Sequence, residues 1–568
     1  MNDSVVNCGG GVVLRRGVRC TMSDGVMLIS DHYAPIAGGK LPTILMRQPY
    51  GRDIASTVVY AHPVWFARHG YNVVIQDVRG RGESEGEFYP FLHEQKDGAE
   101  TITWIRNLPE SDGKVGMYGF SYQGMTQLLA AAAKPEGLMC IAPAMSAHDL
   151  YHGWFYNHGA LRLASSLGWG LQMLKEDARR LELREASDKL ERAWSALPTQ
   201  FLETPYGSHP AIHREGLPTY VRDWIEHDTP AEFWSRMDLS KTLSEVTVPA
   251  LHVSGWYDTY LKGTIDGFRA MTAMAGSELA RTNQYLLAGP WVHIPWGARI
   301  GAKDFGVAAE LDTDQVLLHW FNHWLKDSGD FASQPKIKHF AMNANKWCVA
   351  EVWPDTCAVS LYLHSAGKAN SSKGDGWLDD APGDQNQAAD VFVVDPEVPV
   401  LAPGGIASVS GCFNQAVMEQ GNNLLIYTGA ALDKALHVFG SPRASVWVAT
   451  SAVNADLVVK LVCVRPNGDA DFVSIGVARS SFLFDETYRA DSVRLWEFEM
   501  EPTSWVFAVG ERLRIEIAGG SFPLFDRNPG MCVKPSEANS WSWKRSTHFV
   551  YHDAVRCSAI HLPVAALD

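Results

Sequence analysis

The sequence predicts two fold classes in one chain: an α/β unit built on a parallel sheet and interrupted by a helical cap, followed by a β-sandwich of jelly-roll type. Three observations carry this. Apolar, β-branched runs alternate with helical patterns from residue 41 and again near residue 250, the stretch between shows helical periodicity, and period-two runs take over beyond residue 354.

Residues 43–46, 73–76, 115–118 and 139–142 read as buried strands, with residues 98–107 and 124–134 as the intervening helices. Short apolar runs separated by helical periods form parallel strands covered on both faces. The alternation resumes at residues 249–254 and 284–288, which places the α/β domain at residues 1–146 and 245–354. Leu174, Ala178, Leu181, Ala186, Leu190, Ala193 and Trp194 recur mostly at three- and four-residue steps among charged residues, predicting an amphipathic helix within a cap over residues 147–244. In residues 355–568, runs at 359–363, 391–394, 445–448, 457–464, 472–477, 493–498 and 513–517 are divided by Gly, Pro, Asn and Asp. That is the pattern of a two-sheet jelly roll.

Composition bounds the function. Of 568 residues, 46% are hydrophobic and 20% charged, as in packed globular proteins. The 49 basic and 64 acidic residues leave a net charge of -15, a field that repels nucleic acid and anionic lipid. No apolar run is long enough to span a bilayer, and the start at Met1-Asn2-Asp3-Ser4 lacks a charged-then-apolar leader. The expectation is a cytoplasmic protein without nucleic-acid or membrane partners. Nine dispersed cysteines with no C-x-x-C pair indicate neither a disulfide framework nor structural zinc, so no cofactor is expected.

The sharpest chemical signal is Gly119-Phe120-Ser121-Tyr122-Gln123-Gly124, set between the strand at 115–118 and the helix at 124–134. A serine on a tight strand-to-helix turn projects its hydroxyl above the sheet, and small residues let strand and helix approach. The second glycine follows the serine by three residues rather than two, a departure from the common G-x-S-x-G pattern. A serine nucleophile needs a base, and the base a carboxylate to fix its tautomer. Two later strand ends supply them in the order Ser, Asp, His: Asp258 in Ser254-Gly255-Trp256-Tyr257-Asp258, and His293 in Gly289-Pro290-Trp291-Val292-His293. Asp258 alone could equally cap a helix.

With these motifs the chain resembles the serine hydrolases that include bacterial cocaine esterase, α-amino acid ester hydrolases and X-Pro dipeptidyl-peptidases, most of all cocaine esterase. Arg47-Gln48-Pro49-Tyr50, the run from Asp77 to Gly86, Ser521-Phe522-Pro523 and Phe525-Asp526-Arg527-Asn528 extend the likeness over almost the whole chain. The resemblance implies an α/β-hydrolase fold with an inserted helical cap and a C-terminal jelly roll. It implies Ser121 as nucleophile, His293 as base, Asp258 as its orienting acid, and an oxyanion hole from the Tyr50 hydroxyl and the Tyr122 amide. It also points to Trp154, Trp169 and Tyr260 as walls of an acyl pocket. One departure stands out. α-Amino acid ester hydrolases carry D-x-E-D after the catalytic acid to hold a substrate ammonium, where this chain has Asp258-Thr259-Tyr260-Leu261.

Two further patterns are weaker. His319 and His323 lie four apart on one helical face, but Trp320 stands where H-E-x-x-H has glutamate. Gly80, Gly82 and Gly86 have the wrong spacing for a phosphate loop. The expected function is hydrolysis of small-molecule carboxylic esters through an acyl-enzyme, with apolar or aromatic acyl groups preferred. An amide or β-lactam acylase, an X-Pro dipeptidyl-peptidase or an acyltransferase would use the same residues. A non-catalytic jelly-roll binding protein is the alternative of another class, and homo-oligomerisation stays open.

Overall fold

The computed structural model describes residues 4–53, 57–383, 387–406 and 409–566, so Met1, Asn2 and Asp3 of the N-terminal stretch lie outside the described residues. The first sheet is built from β1 (Ser4–Asn7), β2 (Val12–Thr21), β3 (Met27–Pro35), β4 (Leu41–Gln48), β5 (Asn72–Asp77), β6 (Ser111–Phe120) and β7 (Leu138–Ala144). After a small hairpin, β8 (Tyr156–Asn157) and β9 (Ala160–Leu161), it continues with β10 (Ala250–Tyr257) and β11 (Gln284–Val292). A second hairpin, β12 (Arg299–Ile300) and β13 (Lys303–Asp304), precedes its last strands, β14 (Ile337–Ala341) and β15 (Lys346–Ala350). The order is β1-β2-β3-β5-β4-β6-β7-β10-β11-β14-β15. Strands from β5 to β14 run parallel, and antiparallel strands close both edges.

The central strands read as continuous apolar runs because both faces are covered. Leu45, Val74 and Met117 pack with Ile102 and Ile105 of α2 (Glu94–Arg106) and Met125 and Leu128 of α3 (Tyr122–Ala132). Their neighbours Ile44, Met46, Val73, Ile75 and Tyr118 face the other way, onto Phe66 of α1 (Pro63–Arg68) and onto Leu317 and Phe321 of the helix Thr313–Lys326. The period of two along a strand thus divides one apolar run between two cores.

Between β7 and β10 lies a largely helical insertion with α4 (Leu163–Arg180) and α5 (Arg184–Ser195). The apolar pattern predicted one helix here and the structure has two. Glu182 adopts a left-handed φ of 57°, which ends α4, and the exposed Leu181 belongs to neither apolar stripe. Leu190 and Ala193 then fold back onto the same core as Leu174 and Ala178, so the five-residue step from Leu181 to Ala186 marks the break.

The C-terminal part is β-rich, with strands Val359–His364, Asp390–Val394, Arg443–Thr450, Asp456–Val464, Ala470–Arg479, Arg494–Glu499 and Arg512–Ala518 at the runs read from the sequence. All of these strands belong to a second eleven-stranded sheet. Its core is continuous with the first sheet: Trp256, Leu261 and Phe340 belong to the same buried cluster as Leu457, Ile475 and Ile515. Among the described residues no helix is long and apolar enough to cross a membrane.

Candidate active site

Strand β6 ends at Phe120 and α3 begins at Tyr122, leaving Ser121 alone at the turn with φ 62° and ψ −127°. A non-glycine residue at positive φ is strained, and surrounding contacts must hold it there. The Ser121 amide donates to the Ala144 carbonyl at 2.9 Å. A Cβ added at Gly119 would lie 2.4 Å from the Gln123 Cβ, and one at Gly124 would lie 2.8 Å from the Ala144 oxygen. The displaced second glycine is thereby explained: Gly124 is where α3 rides against the end of β7. Gln123 instead accepts from the Phe120 amide at 3.2 Å through its side chain, bracing the turn.

Asp258 and His293 follow the adjacent parallel strands β10 and β11. The side chain of Asp258 is wholly buried, and its Oδ2 lies 2.5 Å from His293 Nδ1. Its Oδ1 accepts from the Tyr260 amide at 2.8 Å. The imidazole sits between two rings, with centroids 5.4 Å from Phe120 and 5.3 Å from Tyr260, the latter edge-on. A proton on Nδ1 directed at Asp258 leaves Nε2 as the free basic nitrogen. Ser121 and His293 line one cavity of about 580 Å³ together with Tyr50, Phe120, Trp169 and Tyr260.

Tyr50 and Tyr122 reach the site by different routes. The Tyr50 hydroxyl accepts from Trp169 Nε1 at 3.2 Å. Burial pushes it up to about 12, against hydrogen bonds from Trp169 and Ser121, so it remains a protonated donor at neutral pH. Tyr122 is the first residue of α3, where backbone amides have no intrahelical acceptor. Its ring is fully buried and its hydroxyl donates to Glu94 Oε1 at 2.8 Å.

A buried polar network carries both tyrosines. Arg47 Nη1 meets Glu94 Oε2 at 2.6 Å and Arg47 Nε donates to Gln76 Oε1 at 2.7 Å. Burial pushes the Glu94 carboxyl up, and Arg47 opposes the shift. Gln48 accepts from the Tyr50 amide at 2.6 Å and donates to Asp77 at 3.1 Å. Arg47, Gln48 and Glu94 were not singled out as site residues. For Arg47 and Gln48 the available signal was a charged and an amide side chain ending an apolar strand, where burial demands partners; Glu94, at the start of α2, carried none.

The glycine loop also has a structural role. A Cβ at Gly82 would come within 2.0 Å of Asp77 Oδ2, so the loop is wrapped around a carboxylate rather than a phosphate. Arg81, over the Phe88 ring at 3.7 Å and bonded to Asp177 at 3.1 Å, ties that loop to α4. His319 is exposed on its helix and His323 Nδ1 faces the Gly329 carbonyl at 3.3 Å.

The aromatic residues separate into two layers. Trp169 and Tyr260 line the cavity, and Trp169 stacks on Trp224 with centroids 5.0 Å apart and planes 1° apart. Trp154 does not line it: only 2% exposed, it stacks behind Tyr260 at 3.9 Å. The π-like turn Tyr151–Phe155 buries Trp154 in the core, where it backs the wall instead of forming it. The described lining contains no carboxylate.

A serine at a strained strand-to-helix turn, opening on the same cavity as a carboxylate-bound histidine, belongs to an α/β-hydrolase, and the protein is a serine ester hydrolase. The chain belongs to the X-Pro dipeptidyl-peptidase (S15) family, which it matches over residues 24–295. Residues 330–561 match the X-Pro dipeptidyl-peptidase C-terminal non-catalytic domain. Cocaine esterase from Rhodococcus sp. (strain MB1 Bresler) is 32% identical over 544 residues, covering 91% of this chain and 93% of the relative. An aminopeptidase from the marine sediment archaeon Thaumarchaeota archaeon superposes with a TM-score of 0.81 at 23% identity, over 98% of this chain and 97% of its own. An α-amino acid ester hydrolase superposes at 0.79 and 24% identity, over 99% and 98%. These two structures share the fold.

Proposed function

We propose that Ser121, His293 and Asp258 hydrolyse small-molecule carboxylic esters with apolar or aromatic acyl groups. The observation that carries this reading is one cavity lined by Ser121, His293 and aromatic rings and, among the described residues, by no carboxylate. The Ser121 oxygen attacks the ester carbonyl and its proton passes to His293 Nε2. Asp258 holds Nδ1–H and stabilises the imidazolium. The Tyr50 hydroxyl and the Tyr122 amide donate to the tetrahedral oxyanion. The alcohol departs with the proton from Nε2. Water, deprotonated by the same nitrogen, attacks the acyl-enzyme and releases the acid. Trp169 and Tyr260 are the acyl walls in this reading and Trp154 supports Tyr260. The insertion over residues 147–244 acts as the cap, residues 355–568 as a jelly roll, and the enzyme works in the cytoplasm.

The lack of a carboxylate among the described residues that line this cavity supports an apolar acyl group. Burying an α-ammonium without an anionic partner costs several kcal/mol. An apolar acyl group escapes that cost and gains about 25 cal/mol per Å² buried. With one leaving group throughout, phenylacetyl or benzoyl esters should exceed the phenylglycyl ester by about tenfold or more in kcat/KM at neutral pH. Steady-state kinetics on the matched substrates checks this. A faster phenylglycyl ester would replace the reading with that of an α-amino ester hydrolase. The same reasoning disfavours X-Pro dipeptides, which also present an ammonium on the acyl side.

A further inference from the structure

Three distant segments meet behind the catalytic acid. Arg162, just before α4, is completely buried and its Nη2 lies 2.5 Å from Oε1 of Glu501, a residue of the C-terminal part that is itself 2% exposed. Arg162 Nη1 donates to the Thr259 carbonyl at 3.1 Å. That carbonyl and the Tyr260 N–H are the two ends of one peptide group, and the N–H donates to Asp258 Oδ1 at 2.8 Å. The hydrogen bonds therefore run without a gap from Glu501 through Arg162 and a single peptide to Asp258, whose other oxygen holds His293.

We propose that Arg162 and Glu501 are positioning residues for catalysis, through which the C-terminal part fixes and polarises the peptide that holds Asp258. A guanidinium on the oxygen end of a peptide strengthens the donor at its nitrogen end, and in a dry interior such chains reinforce one another. Glu501 is fixed in turn. Its Oε1 accepts from Asn157 at 3.1 Å, its amide donates to Ile475 at 2.8 Å, and its carbonyl accepts from Ser474 at 2.6 Å. A buried ion pair contributes little net stability against an apolar replacement, so the arrangement is better accounted for by what it orients. The proposal rests on Asp258 being the acid of the triad.

The test is a double-mutant cycle. Glu501→Gln should lower kcat on a benzoyl ester by about 10- to 100-fold through misplacement of Asp258, with KM nearly unchanged. Phosphonate labelling of Ser121 should slow by the same factor. In an Asp258→Asn background the same change should cost less than about threefold in labelling rate, because the group it acts through is gone. Glu501→Asp, which keeps the charge, should recover part of the rate. Equal losses in both backgrounds, a loss confined to KM, or an unchanged kcat would overturn the proposal. If Glu501→Gln does not fold, the paired Arg162→Met, Glu501→Gln variant removes both charges, still frees the Thr259 carbonyl, and carries the same comparison. If Asp258→Asn alone is as fast as the parent, the triad reading falls and takes this proposal with it, a signature that no Glu501 variant produces.

Discussion

Ser121→Ala should lower kcat by about 10⁴ to 10⁶-fold, because the members of a triad act as a unit and losing the nucleophile forfeits nearly all of their effect. The backbone at this position is already strained at φ 62°, and alanine carries the same Cβ, so the change removes an oxygen without altering the turn. Thermal melting should thus match the parent. A residual rate above water is expected, since the oxyanion donors and the cavity remain. An organophosphonate should add one label per chain to the parent at Ser121, found by mass mapping, and none to the variant. Ester hydrolysis surviving at a substantial rate would place the nucleophile elsewhere. A parent that neither turns over esters nor takes the label would favour a binding protein built on a hydrolase fold.

What the sequence could reveal depended on how each element is stabilised. The central strands were legible because burial on both faces leaves apolar runs such as Ile44, Leu45 and Met46, all fully buried. Strands β2 and β3 escaped because Arg15, Arg16, Gly17 and Arg19 interrupt the first, and Asp31 and His32 the second, and the partners of Arg15, Asp31 and His32, which are Glu110, Arg52 and Asn72, are supplied only by the fold. The elbow was legible because its constraint is local: a serine, two glycines, a strand before and a helix after. The meeting of Asp258 with His293 was legible because adjacent parallel strands deliver their ends to one crevice. Tyr50 had no such signal. A tyrosine on a turn looks like any packed tyrosine, and only the family resemblance selected it. Glu94, Arg162 and Glu501 act through partners far along the chain, so no spacing pattern records them. Trp154 and Trp169 were indistinguishable as tryptophans. Depth in the helical insertion separates them, and depth is a property of packing.

Tyr50→Phe should lower kcat by about 10² to 10³-fold with a smaller change in KM, the effect of losing one donor that acts mainly in the transition state. The ring stays, so the cavity keeps its wall and ground-state binding is largely preserved. What disappears is the hydroxyl that accepts from Trp169 Nε1 at 3.2 Å and that we propose as a donor to the oxyanion. The Trp169 bond occupies a lone pair of that oxygen and leaves the O–H free to point into the cavity. Burial pushes this hydroxyl up to about 12, so the donor is neutral and protonated through the whole useful pH range. The parent should therefore show no alkaline loss of kcat from a tyrosine ionising below about pH 10, and the ratio of parent to Tyr50→Phe should stay level from neutral pH to that limit. Phosphonate labelling should slow in the variant as well, because the phosphonyl oxygen occupies the same hole. Steady-state and labelling rates measured side by side make the decision: a Tyr50→Phe enzyme as fast as the parent would mean that the oxyanion is held without this hydroxyl, leaving the Tyr122 amide at the start of α3 as the donor to examine next.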